Sequence, residues 1–182
     1  KALGLNLQEL GRTADAEAML SQALNAYKKI LGENDPDTLS VMVSLAQLNL
    51  SQGKINAAQE LFETALPLML EVLDETNLLI LESKENLAEI YRQQGKYAQA
   101  EKLFLESMQG AVTEYGEEDL LVVQVKSHLA QLYEDTGKLK KALALHQQVY
   151  EIDLVLLGEA HPNTAGDLNN MANVRRRLGD YQ

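Results

Sequence analysis

The feature that most constrains the fold of this chain is a repeat of fixed length. One glycine recurs every 42 residues, since successive positions differ by the same amount (95 − 53 = 42), at Gly11, Gly53, Gly95, Gly137 and Gly179. An alanine lies five positions after the glycine, at Ala16, Ala58, Ala100 and Ala142. Four positions further on lie Leu20, Phe62, Phe104 and His146. Self-similarity at a fixed period of roughly 20 to 50 residues indicates a stacked repeat architecture.

Each repeat is predicted to contain two helices. Between the glycines, apolar residues recur at the spacing of one buried helix face, as in the run from Leu61 to Leu73. A helix A before the glycine and an antiparallel helix B after it satisfy this pattern. We expect A helices over 1–10, 36–52, 78–94, 120–136 and 162–178. We expect B helices over 13–31, 55–73, 97–115 and 139–157, and no strand.

The connections between repeats carry local signals that end one helix and start the next. The left-handed conformation that ends helix B is predicted at Gly32, Gly116 and Gly158. The next helix A is expected to be capped by Asp35, Asn77 and Asp119, with Pro36 and Pro162 in its first turn. His161 is also expected to cap a helix.

Two residues are unusual for their places in the repeat. Pro67 falls inside a B helix and lacks the N–H that would donate to the carbonyl of Glu63, so we predict a bend or a widened turn there. His146 stands where other repeats have phenylalanine, and it is expected to be a partly buried packing residue.

These positions resemble a known family. The pattern Leu87-Ala88-x-x-Tyr91, Gly95, Ala100-x-x-x-Phe104 is similar to the tetratricopeptide signature, and Leu129-Ala130-x-x-Tyr133 with Ala142 repeats it. The 42-residue period and the segment Leu168-Asn169-Asn170-Met171-Ala172 resemble the kinesin-light-chain-like subclass. HEAT and armadillo repeats have similar periods but lack this pattern of glycine, alanine and phenylalanine.

The resemblance implies an all-α fold, a right-handed superhelical solenoid of antiparallel helix pairs. Residues 1–182 would form a single array, with partial repeats at 1–31 and 162–182 and whole repeats at 36–73, 78–115 and 120–157. Neither end carries the polar cap of a terminal repeat, so we expect the sequence to be an excerpt of a longer array.

Composition argues against several classes of partner. The formal charge of −11 argues against nucleic acid and against an anionic membrane, because both call for a basic surface. No apolar run approaches the roughly 18 to 20 residues that cross a bilayer, so membrane insertion is not expected. Because the sequence has no cysteine, it has no disulfides, thiolate metal sites or cysteine nucleophiles. Nothing in the composition determines the compartment.

The sequence contains no motif of a catalytic, cofactor or metal site. It has no nucleophile elbow, P-loop or dinucleotide-binding glycine pattern. His128 is the one histidine expected on the inner face, and no His, Asp or Glu stands beside it at a metal-binding spacing. We therefore expect no enzyme activity, no cofactor and no metal.

The resemblance implies a scaffold that binds a protein partner. In tetratricopeptide arrays the A helices line a concave face, which would hold an extended peptide or a helix of the partner. Carried over by register, the predicted partner-binding residues are Gln47, Glu82, Glu85, Asn86, Glu89, Arg92, His128, Gln131, Asn169, Asn170, Asn173, Arg176 and Arg177. Their charges predict a groove that is acidic in its middle and basic at its C-terminal end, and hence a ligand with a neutral or basic central portion.

Two alternatives to peptide binding stay open at this point. The array could be a purely architectural spacer or oligomerisation element, with self-association through its uncapped ends. It could also be a regulatory sensor attached to an enzyme outside this segment. Sequence patterns alone do not separate these roles.

Overall fold

The computed structural model of the chain describes residues 13–179, and this region is helical throughout apart from short connections. Its helices are α1 (Thr13–Ile30), α2 (Pro36–Ser51), α3 (Ile55–Val72), α4 (Leu78–Gln93), α5 (Tyr97–Tyr115), α6 (Leu120–Asp135), α7 (Leu139–Leu156) and α8 (Pro162–Leu178). No strand occurs within 13–179. The predicted helices from 13 onward are confirmed to within about one residue, while the helix predicted over 1–10 lies outside the described residues.

The chain divides into two compact units, with the boundary inside α4. In the first unit, which ends at Ile90, helix α2 packs against both α1 and α3. In the second unit, which begins at Tyr91, α6 packs against α5 and α7, and α7 packs against α8. In both units, the helices that pack against each other are therefore consecutive in sequence.

The repeated alanine and the large residue after it form the core between paired helices. Ala16, Ala58, Ala100 and Ala142 are all completely buried. The side chains four positions later are also buried, at Leu20, Phe62, Phe104 and His146. A residue and its i+4 neighbour share one helix face. Each B helix therefore packs a small side chain, the alanine, and a larger one on the same face.

The connections have the positive φ angles that favour glycine. Gly116 ends α5 with a φ of 90° and a ψ of 169°, so it lies outside the left-handed helical region that the sequence predicted. Gly32 and Gly158 also have a positive φ, where an L side chain would be strained. Asp119 accepts a hydrogen bond of 2.8 Å from the backbone N–H of Leu121 and so caps α6. The capping predictions for the other connections are confirmed, at Asp35, Asn77 and His161.

Helix α3 continues through Pro67 to Val72 instead of ending at the proline. The Pro67 side chain is exposed, so its ring lies on the outer side of the helix. The carbonyl of Glu63 still has no N–H donor at position 67, and the local bend stays a prediction. None of the eight described helices is both long enough and apolar enough to span a membrane.

Candidate functional site

A groove opens in the second unit between two A-type helices, with a B helix at its floor. Its volume is about 550 Å³. The walls are formed by α6 and α8, and the floor includes Val149 and Asp153 of α7. We call it the α6–α8 groove, lined by Leu120, Val123, Gln124, Ser127, His128, Gln131, Val149, Asp153, Pro162, Asn163, Gly166, Asp167 and Asn170.

The α6–α8 groove brings together three of the partner-binding residues that the sequence predicted. They are His128 and Gln131 on α6 and Asn170 on α8. The His128 ring also contacts the interior, since its centroid lies 6.0 Å from that of Phe104 on α5. The remaining predicted residues of α8 are exposed but do not line the groove, namely Asn169, Asn173, Arg176 and Arg177.

In the first unit, the predicted residues differ in their accessibility. Gln47 on α2 is exposed, while Glu82 and Glu89 on α4 are partly exposed. Glu85 is only 4% exposed, although the sequence placed it among the partner-binding residues of the inner face. The Nδ2 group of Asn86 donates to the backbone carbonyl of Glu82 at 2.8 Å, so one of its amide hydrogens is used within its own helix.

Charges that the sequence treated as free groove charges form pairs in the second unit. Arg92 pairs with Asp135. Arg177 pairs with Glu134, with 2.7 Å from Nη1 to Oε2, and its Nη2 donates to the backbone carbonyl of Glu134 at 2.9 Å. The Arg177 pair neutralises part of the predicted basic C-terminal end, because an arginine engaged by a carboxylate offers less charge to a ligand.

His146 is buried as predicted, and it also makes a polar contact that the sequence did not indicate. Its Nε2 lies 2.9 Å from Oε1 of Glu134, which links α7 to α6. Its Nδ1 is buried and has no hydrogen-bond partner. Glu134 therefore contacts His146 through one carboxylate oxygen and Arg177 through the other.

Two aspartates at the floor of the α6–α8 groove were missed by the sequence analysis. Asp153 on α7 is 4% exposed and Asp167 on α8 is 8% exposed. Burial, with the charge and the side-chain hydrogen bond of Asp153, raises the pKa of Asp167 to about 6, while His146 acts in the opposite direction. Thr164 helps to hold the two helices in place, since its hydroxyl donates at 2.9 Å to the carbonyl of Gly158.

The contribution of Asp167 to stability is expected to depend on pH. Folding raises its pKa from 3.8 to about 6, so its stabilising contribution is complete below the unfolded value and is lost as the pH rises through the folded value. We expect Asp167→Asn to raise the free energy of unfolding by about 1 to 2 kcal/mol near pH 8 and by little near pH 4. Urea denaturation at both pH values measures the difference.

Glu151→Gln is the matched control for this prediction. Glu151 is an exposed carboxylate on the same α7 helix as Asp153, and its Oε1 accepts from Gln147 at 3.0 Å. This substitution also removes one negative charge, but it should not give the same dependence on pH. An equal gain in stability for Asp167→Asn at both pH values would contradict the raised pKa.

Sequence comparison identifies the repeat. The tetratricopeptide repeat family matches residues 1–71, 79–154 and 122–182, which together cover nearly the whole chain. A second family of the same description matches residues 43–111. The chain is a tetratricopeptide repeat protein. No curated protein matches this tetratricopeptide repeat array in sequence.

Solved structures share the fold of this tetratricopeptide repeat protein. BtubC (BKLC) from P. vanneervenii is 27% identical, with a TM-score of 0.87 over 99% of this chain and 72% of that chain. A protein from Podosopora anserina, described as a kinesin light chain with nearly identical tetratricopeptide-like repeats, is 23% identical. Its TM-score is 0.84 over 100% of this chain and 86% of that one. The apo form of RapI is 14% identical, with a TM-score of 0.83 over 98% of this chain and 62% of its own.

These comparisons establish the fold class and the broad role of the array. The fold is an all-α helical repeat solenoid, and it is similar to the fold of solved kinesin-light-chain-like repeat structures. Tetratricopeptide repeats of this type act as scaffolds for protein–protein interaction and are typically non-catalytic. Within residues 13–179, no group of three or more His, Asp or Glu side chains is arranged to hold a metal ion.

Proposed function

We propose that this tetratricopeptide repeat array binds an extended segment of a partner protein in the α6–α8 groove. The observation that carries the proposal is the groove itself, about 550 Å³ in volume and lined by side chains of two A-type helices. This is the concave face in the family register. Polar side chains converge in this cleft beside apolar ones such as Leu120 and Val123, and a concave surface of this size has the general character of a binding site.

Amide side chains on the two walls are spaced in a way that suits a peptide backbone. Gln124 and Gln131 lie on α6, and Asn163 and Asn170 lie on α8. The two amides on one helix are two helical turns apart, or about 10 Å. An extended chain spans this distance with roughly three residues. An amide both donates and accepts hydrogen bonds, so each pair can bind a backbone N–H and a carbonyl.

A protein partner also agrees with the charge of the chain. A net charge of −11 does not favour nucleic acid, for which a basic surface is the usual requirement. We assign no catalytic role to the α6–α8 groove, because its proposed chemistry is hydrogen bonding and packing. The pairing of Arg92 and Arg177 with carboxylates further favours a ligand that is not strongly acidic.

Filling the groove with one side chain tests the proposal. Gly166 lies on α8 and lines the groove, and an added Cβ there would meet no atom within 4 Å. Gly166→Trp should therefore occupy the groove without disturbing the fold. Peptides selected from a displayed library on the wild-type protein should bind at least about tenfold more weakly to this variant, as measured by calorimetry.

Ala165→Trp is the matched control for the groove-filling variant. Ala165 is the preceding residue of α8, is exposed, and does not line the groove. We expect the selected peptides to bind Ala165→Trp as they bind the wild type. Equal affinity for both tryptophan variants would show that the groove is not the site. A library that yields no binder would favour the architectural alternative.

A further inference from the structure

The C-terminal end of α7 exposes a row of apolar side chains. Four consecutive residues are apolar and exposed, and we call them the α7 apolar end: Leu154, Val155, Leu156 and Leu157. Val155 is the most exposed of the four, with 77% of its surface accessible. Because successive residues of a helix point in directions about 100° apart, four in a row leave this end of the helix without a polar side. An exposed apolar surface of this kind typically marks a contact with another molecule.

The position of Val155 is polar in the other repeats. A shift by the repeat length places Lys29 of α1, Glu71 of α3 and Thr113 of α5 at the same position. All three of these side chains are exposed, so the position faces solvent in each repeat. Packing inside the array therefore does not require a valine there. A contact outside the array explains why this repeat carries an apolar residue.

Val155 also lines a groove on the side of α7, with a volume of about 430 Å³. We call it the α7 side groove, and its lining includes Glu117, Glu118, Lys126, Glu151, Ile152 and Val155. The α7 side groove shares no lining residue with the α6–α8 groove, to which α7 contributes Val149 and Asp153 from another of its faces. It is therefore a second surface, separate from the one in the proposed function.

The α7 side groove is acidic beside its apolar residues. Three carboxylates line it, at Glu117, Glu118 and Glu151, together with one cation, Lys126. Nζ of Lys126 donates to Oε2 of Glu117 at 2.7 Å, so the charges of these two residues compensate each other. Within residues 13–179, neither Glu118 nor Glu151 is paired with a lysine or an arginine. A positively charged ligand is therefore favoured beside the apolar part of the groove.

We infer that the α7 apolar end and the α7 side groove together dock a basic amphipathic helix of a partner protein. Its apolar side chains pack against Ile152 and Val155. Its lysines or arginines face Glu118 and Glu151. Charge decides among the possible occupants, because an anionic membrane brings negative charge to the two glutamates. A symmetric pair of copies of this chain likewise brings the same glutamates together.

The lining residues of α7 are spaced to suit a helical partner. Gln148, Glu151, Ile152 and Val155 follow the i, i+3, i+4, i+7 pattern of one helix face. This stripe is two helical turns long, or about 10 Å. An amphipathic helix binds a surface of this kind with apolar side chains at the same spacing, and the charged residues beside its apolar face reach the glutamates.

A designed peptide tests the chemistry of the surface. The leucine–lysine peptide is an acetylated and amidated helix of about 15 residues, with leucine at every third or fourth position and lysine on both sides of the leucine face. Titration into ¹⁵N-labelled protein at about 0.15 M salt should shift the amides of Glu118, Glu151 and Val155. Two matched peptides, with alanine for leucine or glutamate for lysine, should bind at least about tenfold more weakly.

Val155→Lys tests the apolar contact. Lysine occupies the same repeat position in α1, so the variant should fold, which circular dichroism checks. The leucine–lysine peptide should bind it at least about tenfold more weakly, because an apolar contact is lost and a like charge is added. Thr113→Lys is the matched control, since it adds the same charge at the same position of α5, outside the groove. It should change the affinity less than about twofold.

A double substitution tests the charges. Glu118→Gln combined with Glu151→Gln keeps the shape of both side chains, and it should weaken the leucine–lysine peptide about tenfold. The control combines Glu60→Gln with Glu114→Gln, which changes the net charge equally at two exposed residues outside the groove. Because salt screens charges over about 8 Å under these conditions, the control should bind within about twofold of the wild type.

Several results would overturn this inference. Equal binding of the leucine–lysine peptide and of either matched peptide would do so, as would the absence of amide shifts at about 1 mM peptide. Binding that is lost in Gly166→Trp but retained in Val155→Lys would place the peptide in the α6–α8 groove instead.

The other possible occupants are tested with Val155→Glu, which carries the residue that α3 has at this position. A wild-type dimer in analytical ultracentrifugation that this variant dissociates would assign the α7 apolar end to a second copy of the chain. Sedimentation of the wild type with vesicles of phosphatidylcholine and phosphatidylserine, lost in the variant, would assign it to a membrane. Either result would overturn the inference, and a monomer that leaves the vesicles in solution would support it.

Discussion

Replacing Phe104 by alanine should lower the free energy of unfolding by about 3 to 5 kcal/mol. The side chain of Phe104 is completely buried on α5, and its ring centroid lies 6.0 Å from that of His128 on α6. Truncation removes the transfer free energy of a whole aromatic ring and leaves a cavity between packed helices, which the surroundings fill only in part. Urea denaturation followed by circular dichroism measures the loss.

Leu105→Ala provides a control one residue away. Leu105 is 40% exposed on the same helix, so its truncation should cost less than about 1 kcal/mol. The comparison keeps the helix and the type of change constant and alters only the burial. If Phe104→Ala lowered the free energy of unfolding no more than Leu105→Ala does, Phe104 would not be a core contact between α5 and α6.

Enlarging the repeated alanine should also destabilise the array. Here the cause is overpacking of the core and not a cavity. Ala100 is completely buried one turn before Phe104 on α5, and Ala58 holds the same place before Phe62 on α3. We expect Ala100→Leu and Ala58→Leu to cost roughly 1 to 3 kcal/mol or more, because the added methyl and methylene groups force packed helices apart. The melting temperature and the midpoint of urea denaturation should both fall.

Exposed alanines on the same helices serve as controls. Ala98 lies two residues before Ala100, and Ala57 lies one residue before Ala58, and both are exposed. Leucine at either position changes helix propensity little and meets no packed neighbour, so stability should remain within about 0.5 kcal/mol of the wild type. A melting temperature unaffected by Ala100→Leu and Ala58→Leu would mean that the close helix contact is elsewhere.

The helices were predictable because their signals are local and repeated. The helix expected over 120–136 forms as Leu120–Asp135, and the one expected over 97–115 forms with the same bounds. Asp119 caps the first of these, and Gly116 ends the second in a conformation that glycine adopts easily. These preferences act within a few residues of chain, so a single sequence displays them.

The site was predictable only where the helix register decides which side chains face the groove. His128, Gln131 and Asn170 line the groove as the register suggested. Glu85 was predicted to bind a partner on the inner face, but it is buried. Asp167 was not singled out at all, although it directly precedes Leu168, whose place in the repeat was recognised. A register gives the direction of a side chain but not the depth of the surface around it.

The 42-residue repeat by itself determined the fold class and the helix bounds from α1 to α8, because period, caps and glycine turns are properties of short stretches of chain. The interaction-scaffold role followed from the resemblance of these residues to the tetratricopeptide signature. Only the tertiary structure decided how charges are paired and buried. Arg177 meets Glu134 across 43 positions, and Asp153 meets Asp167 from a neighbouring helix. Ionisation and pairing depend on the desolvation and the charges that such neighbours supply, and these arise only when the helices pack.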